Sequence, residues 1–169
     1  DHTKWVLNET QTICDFEGVD EYKKELACIA ALCHDVGFVD VFDENEKYGA
    51  AFAKKLMEKQ GYSASDIEIV VNAILETDPK IKNVSKISKM LSDADLGYLG
   101  TKDYFLWSER LLNEYLNYKH SNGDEKKWLK EQIEFLKIHK YYSQFSILNR
   151  KPKKEEILIQ LQRQLEKLS

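Results

Sequence analysis

His34 and Asp35 are adjacent ionisable side chains at the end of LACIAALC, the most apolar run in the chain. Burying both there is costly unless something pairs with them. A divalent cation does this well, because imidazole nitrogen and carboxylate oxygen are both good ligands. Successive helical residues point about 100° apart, so the two converge on one ion only near a helix end, which Gly37 permits. The same pair also has a purely structural use. A histidine at a helix C-terminus complements the dipole and bonds a carbonyl or the neighbouring carboxylate.

Other candidate ligands lie on separate elements. His2 stands at the start of the chain, and SDADLGYLG sets Asp93 and Asp95 into an otherwise apolar helical pattern. With Val84, Ile87, Leu91, Ala94 and Tyr98 as the inward stripe, Asp95 falls about 40° from Leu91 and Asp93 roughly opposite. An inward Asp95 needs a partner. Asp93 reads instead as a solvated carboxylate or the cap of a helix restarting there.

Stepping outward to the elements, the chain has only two Pro and seven Gly in 169 residues, so few breakers interrupt helix. Apolar spacing predicts helices over residues 2–14, 22–36, 47–60, 66–76, 84–99, 104–119, 128–138 and 155–168. Asp20 and Ser65 are the expected N-caps. IEIVVNAIL is rich in β-branched residues, but helix is preferred to a lone strand. KYYSQFSILNRKPKK is read as a separator, with its lysines solvated. The fold class is therefore all-α, an irregular or orthogonal bundle of about seven helices. Residues 1–169 are expected to form one domain, with a C-terminal helix in 150–169 packing on it. The chain begins almost on top of His2, so a preceding helix has been cut off or the chain starts within an element.

A domain of this length folds without a structural metal, so any metal site must be functional. The formal net charge of −4 gives no basic footprint for nucleic acid. No apolar run approaches the roughly 20 residues of a membrane span. Cys14, Cys28 and Cys33 contain no CxxC pair and suit reduced thiols in a cytoplasmic protein, Cys28 and Cys33 as small core residues. His120, before SNG, suits the end of a helix, and His139, among aromatics, reads as a packed, hydrogen-bonded imidazole.

The ordered series H…HD…D, with HTKWVLNE, LACIAALCHDVGF, DENEKYGAAFAKKLMEKQGYS, IVVNAILETDPK, LSDADLGYLG and W…Q…FL…HKYYS, resembles the HD-domain superfamily of metal-dependent phosphohydrolases, in a small bacterial branch. The resemblance covers nearly the whole chain. It implies one divalent metal ion (Mn, Fe, Co, Ni or Zn, with Mg less suited) held by His2, His34, Asp35 and Asp95, with Asp93 as the alternative last ligand. Some related sequences have His where this one has Asn45, and no His occurs between Val36 and Ala94, so one ion is expected rather than two.

The resemblance further implies hydrolysis of a nucleotide or small phosphate ester by metal-activated water. Asp35 or Glu46 would orient that water. Arg110, Lys47 and Lys80 are the inferred cations for phosphate charge. The alternatives are a regulatory or ligand-binding module that keeps the site without turnover, and a helical scaffold in which His34–Asp35 is only a hydrogen bond.

Overall fold

The computed structural model describes residues 2–39, 45–78, 80–81, 84–119 and 124–168. His120, Pro79 and most of the SNGDE turn lie outside them. Among the described residues there are nine α-helices and no strand: α1 (His2–Phe16), α2 (Glu21–Cys33), α3 (Asn45–Gln60), α4 (Ala64–Leu75), α5 (Lys86–Asp95), α6 (Tyr104–Lys119), α7 (Glu125–Ile138), α8 (Gln144–Asn149) and α9 (Lys151–Lys167). Single 3-10 turns occupy Val36–Val39 and Gly97–Gly100. The all-α class holds, with more helices than the seven expected. None is long and apolar enough to cross a membrane.

Local signals explain most boundaries. Asp20 caps α2 as expected, accepting from the Lys23 N–H at 3.0 Å. At α4 the cap is Ser63, not Ser65: its hydroxyl accepts from the Asp66 N–H at 3.2 Å. IEIVVNAIL is helical, and its Ile67, Val70, Ala73 and Ile74 face the core at helical spacing. The predicted helix over 84–99 is shorter, ending at Asp95 without interruption at Asp93.

The chain divides into two compact units, Asp1–Leu96 with Tyr142–Phe145, and Gly97–Tyr141 with Ser146–Ser169. In the first, α1 runs antiparallel to both α2 and α5. His2 meets Asp95 at one end while Lys86 Nζ approaches the Glu17 carbonyl at the other, and Asp15 pairs with Lys24. The core between them is fully buried Val6, Ile13, Leu26, Val70, Ile74 and Leu91, with Phe145 added from the returning segment. Ala27, Ala30 and Ala31 on α2 are also fully buried, and their small side chains let the neighbouring helices approach it closely. Cys14 and Cys33 are buried core thiols, and burial pushes Cys14 up to about 11.

In the second unit α7 packs on α9 over buried Ile133, Leu136, Ile157 and Leu161. Tyr104, fully buried, donates to Gln132 Oε1 at 3.1 Å. The separator KYYSQFSILNRKPKK is not wholly a loop: it contains α8 and the first turn of α9, with Pro152 where a helix tolerates it. Nor are its lysines all solvated. Lys154 is buried, and its ammonium donates to the carbonyls of Leu136 at 3.1 Å and His139 at 2.6 Å, closing the C-terminus of α7.

Candidate metal centre

Three helix ends meet in the first unit. His2 opens α1, His34 and Asp35 follow the last residue of α2, and Asp95 closes α5. The His34 N–H still bonds the Ala30 carbonyl at 2.9 Å, so helical geometry persists to His34 before the chain turns. Gly37 lies against the Asn45 backbone with no room for a Cβ. Gly49 does the same on α3: a Cβ there would stand 2.6 Å from the Cys33 carbonyl oxygen and 2.8 Å from that of His34. Two glycines thus hold the start of α3, and with it Glu46, against the His-Asp turn.

The polar atoms are close. His2 Nε2 lies 2.9 Å from Asp95 Oδ1 and 3.4 Å from Asp35 Oδ2. His34 Nε2 lies 3.3 Å from Asp35 Oδ2 and 3.6 Å from Asp95 Oδ1. The two imidazole centroids are 5.6 Å apart. Ligand atoms of His2, His34 and Asp35 all fall within 4.8 Å of one another, and Asp95 Oδ1 reaches both imidazoles.

His34 shows what this arrangement lacks. Its ring is 1% exposed, and Nδ1 donates to the Ala31 carbonyl at 2.8 Å. That bond fixes the ring and leaves Nε2 aimed at the carboxylates. Nε2 is buried and makes no hydrogen bond among the described residues. An orphaned buried ring nitrogen between two carboxylates is a poor structural hydrogen bond and a good ligand position. Donor atoms sharing an ion through bonds of about 2.0–2.2 Å stand roughly 3–3.5 Å apart, close to the separations here. The residues fit a divalent cation.

Without an ion the charges balance unevenly. Burial works to lower the His34 pKa, but the Asp95 and Asp35 carboxylates overcome it and push it up to about 9. Burial likewise works to raise Asp95, yet the His2 and His34 imidazoles hold it well below the usual carboxylate range. Asp35 goes the other way. Burial, helped by the Asp95 and Glu46 charges, raises it against the pull of His34 and His2.

The remaining expected residues scatter. Asp93 is not solvated: it is fully buried, and its carboxylate accepts from Tyr142 N–H, Ser143 N–H and the Ser143 hydroxyl, at 2.6–3.1 Å. Lys47 and Lys80 are exposed, the Lys80 N–H bonding Asp78. Arg110 belongs to the second unit, where its guanidinium lies 5.4 Å from the centroid of the Trp107 ring. His139, also in the second unit, stands with Nδ1 3.3 Å from Lys154 Nζ. The Ala31 carbonyl and Gly49 also shape the site, beyond the residues expected from the sequence. A backbone acceptor one turn before a helix-terminal His is always on offer, and a Gly inside a helix signals close approach.

Residues 1–96 match the family model described as HD domain, more than half of the chain. The chain belongs to the HD-domain superfamily of metal-dependent phosphohydrolases. No curated protein and no solved structure matches it. His2, His34, Asp35 and Asp95 all lie inside the matched span.

Proposed function

We propose that this protein is a metal-dependent phosphohydrolase that cleaves a nucleotide or another small phosphate ester. The observation that carries the reading is His34 Nε2, buried and without a hydrogen bond between two carboxylates while Nδ1 is tied to the Ala31 carbonyl. His2, His34, Asp35 and Asp95 would hold one divalent ion. Such an ion, when bound, supplies Lewis acidity toward a phosphoryl oxygen and acidifies a water.

The chain's own groups do the rest. His34 stays oriented by its Nδ1–H bond, so its other nitrogen needs no rearrangement on binding. Asp35, raised by burial and by the Asp95 and Glu46 charges, is the carboxylate suited to orient a water and take its proton. Glu46, part-buried at the start of α3, backs it as a second acid. Lys47 and Lys80 are exposed cations of the same unit, assigned to the charge of the incoming phosphate. A dication in the site reverses the local sign, so a net charge of −4 does not exclude an anionic small molecule.

The test is phosphate release from a panel of nucleoside mono-, di- and triphosphates, cyclic nucleotides and simple phosphoesters. The protein is loaded in turn with Mn, Fe, Co, Ni and Zn. Release is expected with at least one pairing and is expected to fall at least about a hundredfold in Asp35→Asn. Folded, metal-replete protein that binds a nucleotide tightly and hydrolyses nothing would identify a binding module instead.

A further inference from the structure

We infer that Asp93 is a positioning residue of the metal centre: it pins the returning segment 142–145 onto α5, and so fixes where α5 sits along α1. The inference rests on the metal-site reading above and joins Asp93, inside the 1–96 family match, to residues 142–145 beyond it. Asp93 is fully buried, and a buried carboxylate is costly unless its oxygens are satisfied. Here both oxygens are used. Oδ1 accepts from the Tyr142 N–H at 2.9 Å, and Oδ2 from the Ser143 N–H at 2.7 Å and the Ser143 hydroxyl at 2.6 Å. The same segment then reaches the far end of α1. The Phe145 N–H donates to Glu17 Oε1 at 3.1 Å, and the Phe145 ring meets Phe16 edge-on at 5.6 Å between centroids.

The four residues therefore strap the C-terminal turn of α5 to the C-terminal end of α1. These two helices carry His2 and Asp95 on their meeting ends, 2.9 Å apart. An apolar side chain at position 93 would fill the space, but it would leave two backbone N–H groups without acceptors and would allow α5 to slide. A charge held by three donors specifies one register. In this chain the HD unit is completed by a segment from far downstream, and Asp93 is the residue that receives it.

The experiment measures Mn2+ affinity of the full chain by calorimetry, together with the His2 and His34 ring signals by NMR of the ion-free protein. Asp93→Asn puts an amide NH2 where an acceptor is needed. It should weaken Mn2+ binding at least about tenfold, as loss of groups that orient ligands commonly does, and should shift both ring signals. Ser143→Ala removes one donor and should weaken binding about threefold; it carries the test where Asp93→Asn does not fold. Leu91→Ala, a core truncation one turn before Asp95, is the control: it should lower the melting temperature while folded protein keeps its affinity. If Asp93→Asn behaves like Leu91→Ala, less stable but with unchanged Mn2+ affinity and unchanged ring signals, Asp93 is merely structural and the inference is overturned. If the wild-type chain binds neither Mn2+ nor Fe, Co, Ni or Zn ions, the metal reading fails on its own. The ring signals then decide the positioning claim, and unchanged signals in Asp93→Asn overturn it.

Discussion

His34 carries two kinds of information. Its Nδ1 bond to Ala31 says which nitrogen is available, and its pKa of about 9 says what occupies that nitrogen when no ion is present. At neutral pH it is a proton, which a metal must displace because only the neutral imidazole ligates. Ion binding at pH 7 should therefore release about one proton. Calorimetry in buffers of different ionisation enthalpy reads this directly, and apparent affinity should climb with pH until it levels above about pH 9. Binding heats independent of buffer at pH 7 would contradict the assignment. At this scale the sequence was informative where the chemistry is local. His-Asp at the end of an apolar helix announces its own cost. Asp93 departs from the solvated or capping role its spacing suggests because its donors, Tyr142 and Ser143, lie 49 and 50 residues away, beyond the reach of any helical wheel.

At the scale of elements, α3 is placed by the absence of side chains. Gly49→Ala would put a methyl 2.6 Å from the Cys33 carbonyl oxygen, on backbone that cannot swing aside. The expected cost is about 1–3 kcal/mol by denaturant unfolding, with α3 pushed off the His-Asp turn. A variant as stable as wild type would show that the contact is soft.

The junction of α7 and α9 has a different dependence. Lys154 Nζ faces His139 Nδ1, and an ammonium accepts no hydrogen bond, so the imidazole must be neutral there. Burial, then the Lys154 charge, lowers His139 to about 4. A depressed folded pKa means that the unfolded chain binds the proton first. The contribution is complete above about pH 6.5 and is lost as pH falls toward about 4, amounting to about 1–3 kcal/mol. His139→Gln should remove that part of the pH dependence in melting curves between pH 7 and 4.5, and an unchanged slope would contradict it. The sequence did not reveal this junction. The lysine run looked solvated because nothing local shows that Lys154 will find carbonyls at the end of another helix. Nor does the sequence reveal α8, whose six residues are too few for periodicity to register.

The whole molecule was more legible than its parts. Scarce breakers and helical apolar spacing established an all-α chain, and the order of its segments resembled the family that residues 1–96 match. What composition could not convey is the division into two units, with Tyr142–Phe145 joining the first across a long stretch of intervening chain. Nor could it convey that His2, His34, Asp35 and Asp95, drawn from three helix ends, would meet with imidazole–carboxylate separations of 2.9–3.6 Å. That meeting suits an ion site, since a domain of this size folds without metal and would otherwise keep a buried imidazole nitrogen that no hydrogen bond satisfies. The most direct measurement is bound metal per chain after loading with Mn, Fe, Co, Ni or Zn and removal of free ion, in wild type and in His34→Ala. The account predicts about one equivalent in wild type and less than about a tenth in His34→Ala, with the helical circular dichroism of the two alike. Less than about a tenth of an equivalent in folded wild-type protein, whichever ion is offered, would contradict it.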